Sequence, residues 1–168
     1  SAAGAVSAGA EIKPALYPAF KIRPVFNTIT KPDGTTVWYA TETIAQNPAQ
    51  KIQWNATSGT KADGTKPKVK VEYSLNGTNY LVLTGAGNLD CENGDNYFEW
   101  TPMNDLKSAS VRVLVSFLQY STAPSIPIES PQFSVRPKIS VSVPDANTKL
   151  AVGSTYNNLI HWSYIGTQ

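Results

Sequence analysis

The sequence predicts an all-β chain: one complete antiparallel β-sandwich module followed by the first strands of a second. Three observations carry that expectation. First, a phrase occurs twice, as Lys51-Ile52-Gln53-Trp54 with Gly59-Thr60 behind it, and as Leu159-Ile160-His161-Trp162 with Gly166-Thr167 behind it. In each copy an apolar residue two positions before a Trp shares its strand face, and the polar residue between them points the other way. Pro32-Asp33 lies upstream of the first copy and Pro144-Asp145 upstream of the second, and the two Trp stand 108 positions apart, the length of one small sandwich module. Second, no stretch of about ten residues or more shows a capped helical period. Third, twelve Pro and eleven Gly in 168 residues suit short strands joined by many turns.

In chain order, residues 1–10 are small and featureless and read as a leader or linker. Two sharper readings are the start left by signal cleavage and an arm that adds a strand to a neighbouring molecule. Pro14, Pro18 and Pro24 exclude a helix or a central strand, so residues 1–25 form an extended arm or linker. Ile29, Val37 and Tyr39 open the β region around a turn at Lys31-Pro32-Asp33-Gly34. Residues 45–50 interrupt the pattern, and Ile52 and Trp54 resume it.

Residues 58–67 read as a loop, and Lys61, Lys66, Lys68 and Lys70 make its surroundings basic. Outward lysines on a strand edge explain this without a nucleic-acid partner, which would require interleaved aromatics and a larger charge excess. Val69, Val71 and Tyr73 alternate with Lys70 and Glu72, and Asn76-Gly77 comes next, with the positive φ angles of a tight hairpin. Phe98 and Trp100 share a face ahead of Thr101-Pro102. Val111, Val113, Val115 and Phe117 mark a central strand, and Phe133 and Val135 close a first module over 26–136. Ile139, Val141 and Val143 open a second over 137–168. Those residues are too few for a core of their own. Completion within a longer chain, or by another chain through strand exchange, are the two alternatives.

Composition limits the function. The net charge of +2 implies no polyanion partner. No apolar run approaches the roughly 20 residues of a membrane helix. Cys91 is the sole Cys, so no internal disulfide forms; it reads as an inert, partly buried thiol, with an intermolecular disulfide as the alternative. Thr-rich strands and the sequons Asn55-Ala56-Thr57 and Asn76-Gly77-Thr78 point outside a cell, with Asn55 and Asn76 as glycosylation sites. Asp90, Glu92 and Asp95 lie in an acidic loop that offers oxygen ligands to calcium, although such residues also serve simply as turn formers. His161 is the only His, which leaves a zinc site or a catalytic triad without partners. Pairs such as Asp90/Asp95 or Glu92/Glu99 resemble the two acids of a glycosidase but lie in one short segment with no evident cleft. The expectation is a protein without enzymatic activity and without a cofactor, calcium aside. Exposed aromatics of sandwich proteins bind sugars by stacking; Trp38, Tyr39 and Tyr80 are the candidates, with Tyr97 and Tyr164 behind them.

The order of motifs is specific. A Pro-Asp turn leads to Ile-X-Trp with Gly-Thr, then VKVEYSLNGTNY, an aromatic-X-Trp-Thr-Pro, SVRVLVS, and PQFSV before the next module. This resembles the immunoglobulin-like repeats of large secreted and surface-anchored bacterial proteins, a family also described from the N-terminal domain of fungal Ser/Thr-rich anchored cell-wall proteins. The resemblance covers roughly 26–168 and departs from the pattern in insertions at 41–50, 58–67 and 120–130. It implies an immunoglobulin-like sandwich in which Trp54 and the Tyr-Ser hairpin are fold markers, not catalytic residues. Ile52, Trp54, Trp100, Phe117, Ile160 and Trp162 are the expected core markers. The implied role is extracellular and structural: spacing, lattice or filament assembly, or adhesion. The partners are other copies of the chain or further modules, with a glycan-binding module as the alternative.

Overall fold

The structure is a computed structural model, and it describes residues 23–43, 45–60, 64–103, 106–118, 126–155 and 159–165. The arm of residues 1–22, the tip of the basic loop at 61–63 and the second Gly-Thr at 166–167 lie outside the described residues. Among the described residues all regular structure is strand: β1 (Val25–Lys31), β2 (Val37–Tyr39), β3 (Lys51–Thr57), β4 (Lys68–Ser74), β5 (Leu81–Val82), β6 (Leu89–Asp90), β7 (Gly94–Glu99), β8 (Ser108–Phe117), β9 (Ile128–Glu129), β10 (Phe133–Arg136), β11 (Lys138–Val143) and β12 (His161–Ile165). A three-stranded antiparallel sheet runs β1-β3-β7. A seven-stranded sheet runs β2-β10-β8-β4-β5, with β6 on β4 and β9 on β8. Its β2–β10 pair is parallel and its other pairs are antiparallel. β11 and β12 form a separate antiparallel pair.

Period-two alternation explains the core. Ile52, Trp54 and Ala56 of β3 are buried, and so are Val69, Val71 and Tyr73 of β4, Val111, Val113 and Val115 of β8, and Phe133 and Val135 of β10. They form one cluster, so the two larger sheets bury their apolar faces against each other. Phe26 of β1 stacks on Phe117 of β8 with ring centroids 4.1 Å apart, linking the two sheets at one end. Trp38 meets Phe133 at 5.0 Å and Trp100 at 5.8 Å, both edge-on, and Tyr73 lies 5.5 Å from Trp100. Edge-to-face pairs add about 0.5–1.5 kcal/mol each beyond the area they bury.

One local choice left open by the sequence is settled, and one expectation is corrected. The buried residue of β2 is Trp38, with Val37 and Tyr39 on the other face. All three side chains are apolar or aromatic, so alternation leaves the choice of face open. The parallel register decides it, because Trp38 lies beside inward-facing Val135. The Asn76-Gly77 turn is also wider than a two-residue hairpin. Pairing stops at Tyr73↔Leu81, and of these two turn residues only Gly77 has a positive φ, 74°. The reason is side-chain capture of the backbone. Ser74 Oγ accepts from the Asn76 and Gly77 amides at 3.3 and 2.9 Å, and Asn76 Oδ1 accepts from the Thr78 and Asn79 amides at 2.9 and 3.0 Å.

Candidate functional site

The terminal hairpin is built like the first one. In β1–β3, Ile29 lies opposite Trp54 and Lys31 opposite Gln53, with an irregularity between. In β11–β12, Val141 lies opposite Trp162 and Val143 opposite His161, again with an irregularity between. The turn after each leading strand is the same device. Thr36 N donates to Asp33 O at 3.0 Å, Asp33 N to Thr36 Oγ1 at 2.9 Å, and Thr36 Oγ1 to Asp33 Oδ1 at 2.8 Å. The corresponding bonds of Thr148 and Asp145 measure 3.1, 2.9 and 2.6 Å. Both carboxyls are held below the usual carboxylate range, Asp33 by Lys31, Thr35 and Thr36, and Asp145 by Thr148 and the Asn147 amide. The Lys31–Pro32 and Val143–Pro144 peptides are both cis.

Burial is where the two hairpins part. Phe26, Ile52, Trp54 and Ala56 are buried and Ile29 half-buried. On the terminal hairpin Ile139 is 67% exposed, Val141 60%, Ile160 69% and Trp162 56%. Ile52, Trp54 and Trp100 thus sit in the core, and Phe117 packs against it half-buried. Ile160 and Trp162 are not core residues within these 168 residues, because no second sheet covers their face among the described residues. His161 is exposed beside them. A charged joint ties the hairpin to the first module: Lys138 Nζ lies 3.0 Å from Glu42 Oε1 and 5.7 Å from the centre of the Tyr39 ring. Glu42 is buried and also accepts from Asn47 Nδ2 at 3.0 Å. Periodicity carries no signal for this joint, which joins residues 96 positions apart.

The sugar-stacking candidates do not converge. Trp38 is buried at 2% exposure inside the aromatic cluster, so it presents no platform. Tyr39 lies half-buried under Lys138, and the half-buried Tyr80 hydroxyl donates to the Glu129 carboxylate, which also accepts from Arg112 at 2.8 Å. Tyr97 is exposed, with Lys51 Nζ 4.5 Å above its ring. An apolar groove between β5 and β7 is lined by Leu81, Val82, Phe98, Trp100 and Met103, with the Glu99 carboxylate 3.6 Å from Lys51 Nζ.

The acidic loop is spread out. Asp90 pairs with Lys68 at 2.7 Å, Glu92 pairs with Lys66, and Asp95 accepts from Asn55 Nδ2 at 2.6 Å. Among the described residues no three His, Cys, Asp or Glu side chains come together as a metal site. Cys91 is fully buried, and burial pushes its thiol up, which favours the protonated form. Asn55 lies in an amide ladder, accepting from Asn27 Nδ2 at 2.6 Å while donating to Asp95. Asn76 is exposed in its loop.

Burial and the Glu129 carboxylate push the Tyr80 phenol from 10.0 up to about 12. The fold therefore favours the neutral phenol; that contribution is whole below the unfolded value near 10 and is lost as pH rises towards 12. Urea midpoints measured over this alkaline range should fall more steeply in the parent than in Tyr80→Phe. Equal slopes would remove the Tyr80–Glu129 contact from the account of stability.

Comparison of the chain with protein-family models, with curated proteins and with solved structures finds no match.

Proposed function

We propose that this chain is a non-enzymatic structural segment of a repetitive secreted or cell-surface protein. Immunoglobulin-like sandwich repeats are its building units, and lattice, filament or adhesive assembly is its role. Strand order supports the immunoglobulin-like reading. On this reading β3 and β7 correspond to strands B and E of that fold, and β4, β8 and β10 to C, F and G. The first strand divides between the sheets, β1 joining one and β2 the other. Thr-rich strands and the exposed Asn76 sequon favour an extracellular setting.

The observation that carries the reading is the terminal hairpin. It reproduces the register and the Asp turn of the first hairpin, yet its apolar face is open. Fully covering such side chains contributes about 1.5–3 kcal/mol each, which is large beside the roughly 5–15 kcal/mol stability of a whole domain. A face of that kind is the unfinished half of a sandwich, and the rest of a repeat is what fits it. The glycan-binding alternative loses Trp38, its largest aromatic platform.

The test is the mass and association state of the native polypeptide, together with the solvent access of Trp162. A polypeptide longer than 168 residues, or an assembly of such chains, with Trp162 shielded from acrylamide quenching is the expected result. A native protein that is complete at this length, monomeric, and open at Trp162 would overturn it.

A further inference from the structure

A single residue connects the first module to the terminal hairpin. β10 ends at Arg136 and β11 begins at Lys138, with Pro137 between them. The proline ring fixes its own φ at about −65° and narrows the conformations open to the residue before it. The Arg136 carbonyl is held as well, accepting from the Ala40 amide at 3.0 Å. β11 and β12 pair with each other and with no strand of the two larger sheets. No ladder therefore fixes how the hairpin stands against the module, and side chains at the connection must do so.

The corner that follows β2 supplies them. Thr41 has φ 58°, in the left-handed region that a β-branched residue rarely enters. Its amide donates to Pro102 O at 2.8 Å, and the Glu42 amide closes a turn on Tyr39 O at 3.2 Å. Strain of this kind persists where its surroundings impose it, and it gathers at functional corners. Both oxygens of the Glu42 carboxylate are engaged: Oε2 accepts from Asn47 Nδ2 and Oε1 from Lys138 Nζ, each at 3.0 Å. The Asn47 amide donates in turn to Thr43 O at 2.9 Å, so the insertion that carries it holds the carboxylate in place. Lys138 Nζ also lies within cation–π reach of the Tyr39 ring. The Glu42 side chain is 8% exposed and that of Lys138 41%. Swinging the hairpin away would leave a buried carboxylate without its cation, a cost that an exposed ion pair does not carry.

We propose that Glu42, Pro137 and Lys138 form a fixed coupling that holds the terminal hairpin at one orientation to the first module. The Tyr39–Glu42 corner is the docking surface, and what it takes is a cationic side chain placed directly after the connecting proline. The coupling operates within the 168-residue chain. It therefore goes beyond the repeat reading and does not depend on what covers Ile160 and Trp162. The direction in which the chain leaves the module is set by one buried carboxylate.

Amide nitrogen relaxation of the 168-residue chain, measured by NMR, tests this. Relative to the tumbling of the module, the β11 and β12 amides should keep order parameters near the ~0.85 of rigid backbone, and Lys138→Met should lower them towards ~0.6 or below. Contacts between Val141 and Trp162, which lie opposite each other, should persist in that variant, because the hairpin swings as a unit. Glu42→Gln, which keeps the shape of the side chain, should loosen the hairpin in the same way; should it lower the melting of the module, Lys138→Met alone decides. A hairpin that is unformed or tumbles independently in the parent would overturn the proposal, and so would order parameters that Lys138→Met leaves unmoved. Loss of the Val141–Trp162 contacts in Lys138→Met would overturn it too, by assigning the lysine to the hairpin's own stability. None of these outcomes bears on the repeat reading, which stands or falls on native mass, association and the shielding of Trp162.

Discussion

Trp54→Ala should destabilise the chain by about 3–5 kcal/mol, while Trp162→Ala in the same 168-residue chain should shift stability by no more than about 0.5 kcal/mol. The two Trp occupy matching places in matching hairpins, and only their cover differs. Trp54 is buried between the sheets beside Ile52, Val69 and the other members of the core cluster. Removing it leaves a cavity that rigid strands on both sides do not collapse to fill. Trp162 keeps more than half of its surface in water, with the Tyr164 ring 6.0 Å away as its aromatic neighbour. Urea unfolding followed by far-ultraviolet circular dichroism reads both variants. Equal losses would mean that the terminal face is already covered in the isolated chain.

Trp38→Ala should be nearly as damaging, at about 3–5 kcal/mol, and Trp38→Phe should recover part of the loss. Trp38 joins the two ends of the first module, packing β2 against Phe133 of β10 and against Trp100 at the end of β7. Its loss removes two edge-to-face contacts as well as the buried area. A sugar platform would behave in the opposite way, with retention on a glycan column lost and the unfolding midpoint unchanged. That second outcome would restore the binding-module alternative.

How much of the fold is legible in the residues depends on what alternation can encode. Val69-Val71-Tyr73 and Val111-Val113-Val115 alternate with polar or longer side chains, and each buries the face that the pattern names. Phe133 and Val135 do the same on a short strand. Val37-Trp38-Tyr39 has no polar member, so its face is set by the neighbouring strand, a contact almost 100 positions away in sequence. The Ser74–Asn79 loop departs from the expected tight hairpin because Asn-Gly alone specifies a turn type, whereas the Ser74 and Asn76 side chains supply a competing set of acceptors. Partnerships between remote strands, including β9 on β8 and the Glu42–Lys138 joint, depend on three-dimensional register and leave no periodic trace. The likeness of the two hairpins is readable because one stretch of sequence is compared with another, and no knowledge of a partner strand is required.

The parallel pairing of β2 with β10 sets how the module meets a pull. β2 lies near the start of the module and β10 at its end, and they run side by side over Val37–Tyr39 and Ser134–Arg136. In the repeat array proposed above, tension would draw β2 towards its N-terminal side and β10 towards its C-terminal side, along the strand axis in opposite senses. The ladder bonds between them are then loaded in shear and must give way together, whereas a peeled antiparallel edge would open one bond at a time. A chain of such units, as proposed above, would resist stretching at each pairing of β2 with β10.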